Sequence, residues 1–284
     1  MKVTSTKTHS ANRLKFLIYG APGVGKTTLA ATLNEPVLVI SAEAGLLSLA
    51  GHDIDVVDIT VDDDGNRIKK EHRLNRLLKV LAWLEEPATR EKYKWIFIDS
   101  LTEISENLIE NLRLVYPDMK DGLKLWGDYA KKARSMVKAF RDIPHYNVVF
   151  TALEKEDKDE NNRRYVKVDM SGKIGQQLPA FFDEVFWFHV EQISKTETRR
   201  LLLTSPRENV IAKDRSGKLE LLEPPNLQAI VDKIWGKNAQ SSGRRNLQTE
   251  SATQTGKRRL PDPTEKPRTV SHNKETSRSS SGTR

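Results

Sequence analysis

The stretch LIYGAPGVGKTTLAATL, residues 17–33, confines the chain more tightly than any other. An apolar run ending at Ile18 and Tyr19 reads as a buried strand, a Gly-rich turn follows, and Lys26-Thr27-Thr28 open a helical pattern. Gly20, Gly25, Lys26 and Thr27 satisfy the spacing G-x-x-x-x-G-K-[ST]. Glycines at 20, 23 and 25 let the backbone curl so that Gly20, Ala21, Pro22, Gly23, Val24, Gly25, Lys26, Thr27 and Thr28 form a cradle whose N–H groups, absent only at Pro22, point at phosphate oxygens. Lys26 then reaches the β- and γ-phosphates of ATP, and the Thr27 hydroxyl is placed to ligate Mg²⁺. A Gly-rich turn that holds no ligand is the alternative. Every fixed position is filled and both flanks agree, which favours the cradle.

Composition narrows the setting. The 284 residues contain no cysteine, so a disulfide framework and thiolate metal sites are excluded, and the six histidines never stand at HxxxH spacing. A metal here is therefore expected to be oxygen-bound Mg²⁺. No apolar run approaches the roughly 18 residues of a membrane span, and MKVTSTKTHSANR lacks the apolar stretch of a signal peptide. The expectation is a soluble, cytoplasmic protein without membrane contact. Of the net charge of +8, residues 237–284 carry an excess of +7, eleven Lys and Arg against four Asp and Glu. That segment is rich in Ser, Thr, Arg and Pro and poor in large apolar residues, so it is expected to be a disordered basic tail. Solubilising end and nucleic-acid or partner arm are both open for it.

Between them lies an α/β pattern. Short β-branched runs at 14–19, 37–41, 55–60, 94–98, 146–151, 184–190 and 199–204 alternate with amphipathic stretches. Leu74, Leu77, Leu78, Leu81 and Leu84 recur at helical spacing until Pro87, and Leu101, Ile104, Leu108, Leu112 and Val115 form another stripe. Tyr129, Ala133, Met136, Val137 and Phe140 form a third. The expected organisation is an extension at 1–11, one domain at 12–236 with a largely parallel central sheet flanked by helices, and the tail at 237–284.

Two carboxylates join the cradle. In KWIFIDSLTEI the run Trp95 to Ile98 drives a strand into the sheet and delivers Asp99 to its carboxyl end, where open α/β sheets place ligands and where Asp99 can hold Mg²⁺. In VLVISAEAGLL a strand from Val37 to Ser41 leads to Glu43, the candidate for orienting the attacking water, with an exposed loop glutamate as the alternative. Lys26, Glu43 and Asp99 are the candidate catalytic residues.

The order of these three segments resembles the RecA-type recombinase core. By that resemblance Lys26 and Thr27 match the phosphate-loop pair, Glu43 the catalytic glutamate and Asp99-Ser100 the metal-side pair, while Ser41 stands where that core carries Asp. The size, the EAGLLSL segment and AKDRSG (212–217) look most like phage-encoded nucleotide-binding proteins, among them Sak-type single-strand annealing proteins with a RecA-like core. The resemblance implies an ATP-hydrolysing homo-oligomer, ring or filament, acting in the host cytoplasm on single-stranded DNA in recombination, helped by a single-strand-binding protein. It also implies two DNA-facing loops, at 116–129 and 154–175.

Both segments set cations beside aromatics, as single-strand binders do. The first holds Lys120, Lys124 and Trp126, and the second Arg163, Arg164, Tyr165, Lys167 and Lys173. The second also carries Glu154, Glu156, Asp157, Asp159 and Glu160, so a solvated hairpin is its alternative and Arg163 to Lys173 its DNA-binding half. Arg207, Lys213 and Arg215 are candidate cations for a neighbouring subunit's γ-phosphate. A helicase-accessory or loader ATPase, and a nucleotide-gated module recruiting a replication partner, are the competing functions.

Overall fold

A computed structural model describes residues 13–43, 45–117, 122–158, 160–207 and 209–236. Its strands are β1 (Lys15–Gly20), β2 (Val37–Ser41), β3 (Asp55–Asp58), β4 (Trp95–Asp99), β5 (Asn147–Lys158), β6 (Arg164–Val168), β7 (Glu184–Gln192), β8 (Thr198–Leu203), β9 (Lys213–Asp214) and β10 (Leu222–Glu223). The helices are α1 (Lys70–Trp83), α2 (Pro87–Lys92), α3 (Leu101–Val115), α4 (Gly122–Arg141), α5 (Ile174–Gln177) and α6 (Leu227–Trp235).

One sheet runs in the order β10-β8-β7-β1-β5-β4-β2-β3, with β6 attached to β5 and β9 to β7. The pairs β7–β1, β1–β5, β5–β4, β4–β2 and β2–β3 are parallel, and β8, β9 and β10 add antiparallel pairs at one side. All seven strands expected from apolar runs are present within a few residues, and the fold is an α/β layer structure with a largely parallel central sheet flanked by helices.

Strand alternation sorts the core into two layers. Leu17 and Tyr19 of β1 and Ile96 and Ile98 of β4 pack on the side of α1, α3 and α4. Phe16, Ile18, Trp95 and Phe97 face the other side, against Leu29, Ala30 and α6. Helix starts follow local chemistry. Ser100 caps α3 by accepting from the Glu103 N–H at 3.5 Å, Pro87 opens α2, and Asn226 caps α6 by accepting from Ala229 N at 3.0 Å. α6 stops at Gly236, whose φ of +67° suits a residue without Cβ.

Three expectations change. The helix after the phosphate loop is a single 3-10 stretch, Thr27–Thr32, because Leu33 turns extended and Pro36 already leads into β2. Most of the segment expected as a loop at 116–129 is the first part of α4, where Leu125 and Tyr129 extend the buried stripe upstream; Lys120 lies outside the described residues. β5 runs on to Lys158 and folds back through β6, so 154–168 is a hairpin; Asp159 also lies outside the described residues.

Candidate active site at the carboxyl edge of the sheet

Four parallel strands deliver the site. Register pairs Ser41 with Asp99, Ile98 with Phe150, Ile18 with Thr151 and Gly20 with Leu153, so the ends of β2, β4, β5 and β1 form one continuous edge. At Gly20 a Cβ would collide with the carbonyl oxygen of Phe188 on β7, which excludes every other residue. Gly23 and Gly25 take φ of +75° and +109°, bending the loop as glycine alone does without strain. The loop thus has the curvature of a phosphate cradle.

Lys26 is buried, and its ammonium donates to the carbonyls of Gly20 at 2.9 Å and Ala21 at 2.8 Å. Burial lowers its pKa below the usual lysine range, and the charges of Asp99, Glu43 and Glu154 pull it back up. The charges of three carboxylates, carried by β4, β5 and the residues just after β2, thus act on one cation. Thr27 donates its hydroxyl to Asp99 Oδ2 at 2.5 Å, and Thr28 donates to the Gly25 carbonyl at 2.6 Å.

Asp99 is almost wholly buried and is held on every side. Its Oδ1 accepts the Thr151 hydroxyl, and its backbone carbonyl accepts Ala42 N–H at 2.7 Å. The peptide joining it to Ser100 is cis. The Ser100 hydroxyl donates to Glu43 Oε1, while the Ser41 hydroxyl donates to the Glu43 carbonyl. Glu43 therefore stands exposed at the edge with its carboxylate steered by β4 and its backbone steered by β2. Glu154, on β5, accepts the Trp187 indole N–H from β7.

The donor chemistry fits a nucleotide with Mg²⁺. Thr27 and Asp99 offer hard oxygens within 2.5 Å of each other, and no group of three or more His, Cys, Asp or Glu among the described residues is placed to hold a metal ion by itself. A two-oxygen protein contribution suits Mg²⁺, which keeps waters and takes its other ligands from phosphate.

The remaining candidates are dispersed. Arg164 approaches Glu156 at 3.9 Å, Lys167 is buried and paired with Asp157, and Arg163 and Lys173 are exposed. Lys213 donates to the Pro179 and Phe182 carbonyls, and Arg215 binds Asp183 at 2.7 Å. Both lie beside the start of β7, at the end of the sheet opposite Gly20. Arg207 is exposed in a turn with Val210. Thr151 and Glu154 join this edge from β5, and for Thr151 a hydroxyl inside an apolar strand was the signal available in the sequence.

Such an edge is what a P-loop ATPase presents to a nucleotide. The family comparison agrees: the model of an AAA domain matches residues 12–216, and the chain belongs to that family. Among curated proteins none matches. Among solved structures the chain is similar to a KaiC-like protein from Pyrococcus horikoshii OT3, at 14% identity over 67% of this chain and 77% of that one, with a TM-score of 0.37. It is also similar to an ATPase from the type III secretion system of pathogenic bacteria, at 16% identity over 62% of this chain and 52% of that one, TM-score 0.41. A third is the flagellar accessory protein FlaH from Methanocaldococcus jannaschii, at 11% identity over 66% of this chain and 76% of that one, TM-score 0.34. No described helix is long and apolar enough to cross a membrane.

Proposed function

We propose that this protein hydrolyses ATP with Mg²⁺ at the loop of residues 20–28 and uses the nucleotide cycle to bind and release single-stranded DNA, promoting strand annealing in recombination. The observation that carries the DNA reading is a hollow of about 510 Å³ beside the β5–β6 hairpin. Lys155, Lys158, Lys167 and Lys173 line it together with Trp126 and Tyr165. Lys167 is buried and paired with Asp157, Lys155 is exposed and lies 3.8 Å from Asp169, Lys158 and Lys173 are exposed, and Trp126 is half-exposed. Cations that track phosphates beside rings that stack bases suit single strands read without sequence.

In the proposed hydrolysis Lys26 leaves its loop carbonyls for the β- and γ-phosphates, and Glu43, steered by Ser100, orients and polarises the attacking water. Thr27 and Asp99 would hold Mg²⁺, which when bound would neutralise charge on the phosphate oxygens. The active form in this reading is a homo-oligomer, with exposed Arg207 the candidate to reach a neighbour's nucleotide.

The test combines ATPase rates measured alone and with single strands, duplex or RNA with an annealing assay on complementary oligonucleotides. Stimulation by single strands and ATP-dependent annealing, both lost in Lys26→Ala, are expected. Annealing at the spontaneous rate in every nucleotide state overturns the recombination reading, and ATP-driven unwinding of a forked duplex transfers the protein to the motor class.

A further inference from the structure

Thr151 is the one hydroxyl-bearing residue in the buried half of β5, set between Phe150 and Ala152, and it is 0% exposed. A hydroxyl removed from water is costly unless bonded. That of Thr151 lies 3.4 Å from the Ile98 carbonyl and donates at shorter range to Asp99 Oδ1. The opposite oxygen, Oδ2, receives the Thr27 hydroxyl at 2.5 Å. The two threonines thus clasp one carboxylate from two sides, one from the phosphate loop and one from the strand between β1 and β4.

From this geometry we propose that Thr151 is a positioning residue for the nucleotide's divalent cation: by holding Oδ1 it fixes the rotation of the Asp99 carboxylate and presents Oδ2 to Thr27 and the metal. The inference rests on the ATPase reading above. The terminal torsion of aspartate is broad and two-fold, so the carboxylate does not hold its own orientation. A β-branched side chain on a central strand is a stiff prop, since its χ1 is restricted and its backbone is paired on both sides. Partners that orient a metal-binding carboxylate typically govern affinity by 10- to 100-fold. Thr151 itself is sealed beneath Asp99 and touches neither phosphate nor metal in this scheme.

The test reads binding. A fluorescent ATP analogue is titrated into the full chain in EDTA and across a Mg²⁺ series, and the gain in affinity with Mg²⁺ is compared among wild type, Thr151→Ser, Thr151→Ala and Thr151→Val. Serine keeps the hydroxyl, alanine and valine lose it, and valine keeps the shape. We expect the serine variant to retain the gain within about twofold, and the alanine and valine variants to need about tenfold more Mg²⁺ with metal-free affinity unchanged. Should Thr151→Val not fold, the serine–alanine pair makes the same comparison. Equal Mg²⁺ dependence in all variants overturns the proposal. So does a proportionate loss of affinity with and without metal, which marks a packing role. A wild type whose affinity ignores Mg²⁺ overturns the ATPase reading as well, whereas a normal wild type with a normal alanine variant removes Thr151 alone.

Discussion

The two ends of the sheet satisfy their carboxylates differently. At the carboxyl edge each acid is met by a neutral donor: Asp99 by Thr27 and Thr151, Glu43 by Ser100, Glu154 by Trp187. At the start of β7, Glu184 stands opposite Asp214 across an antiparallel pair, 1% exposed, with Oε1 accepting Ser216 N–H at 3.2 Å and no donor to Oε2 among the described contacts. Burial pushes Glu184 up to about 8, and the negative charge of Asp214 adds to the rise. Burial also pushes Asp214 up, but the Ser216 hydroxyl, Leu219 N–H, Glu184 and Gly217 N–H outweigh it and hold Asp214 below the usual range. A proton on Glu184 makes its carboxyl an O–H donor toward the Asp214 carboxylate, so one end is satisfied by side-chain donors and the other by protonation. The difference separates carboxylates that meet side-chain donors of other residues, at the candidate site, from one held neutral against a second carboxylate.

Breaking the first end should have the largest effect. Glu43→Gln is expected to keep nucleotide affinity and lose at least about 100-fold in turnover, since only the water-orienting group is altered; a phosphate-release assay beside analogue binding checks it, and wild-type turnover would remove Glu43 from the chemistry. Ser100→Ala should cost less, about tenfold in kcat with nucleotide affinity held, because Glu43 remains but its carboxylate is no longer steered. If kcat survives intact, the Ser100 bond is structural.

The second end should respond in stability and leave turnover alone. Because Glu184 has a folded pKa above its unfolded value, the folded chain holds a proton that the unfolded chain releases, and stability falls as pH rises from about 4.5 to about 8 before levelling off. Glu184→Gln supplies a permanent donor toward Asp214. It should flatten that decline and raise the melting temperature at pH 8 by about 3–5 °C, with ATPase rate unchanged. Parallel melting curves at pH 5, 6.5 and 8 for both proteins would contradict the shared proton.

Legibility also differed between the ends. Apolar strands leading to Gly20, Ser41 and Asp99 announce themselves in sequence because parallel strands buried on both faces need continuous apolar runs. β6, RYVKV, hid because its cations pair with acids across a hairpin, and β9 and β10 are two residues each, too short to carry a period. The first turns of α4 were obscured by Gly122, Lys124, Gly127 and Asp128 among the apolar residues. Glu184 read as one more strand residue, since its meaning depends on Asp214, thirty residues later in the chain. Long-range pairing of that kind leaves no local pattern.

β5 runs from Asn147 to Lys158 without a break, its first six residues buried and its last ones exposed. Thr151 clasps Asp99 near its inner end, and Lys158 lines the basic hollow at its outer end. Seven residues of strand span about 23 Å, and no loop interrupts them to absorb movement. The same strand therefore borders both the edge that holds Asp99 and the lysine-lined hollow, with continuously paired backbone joining the two.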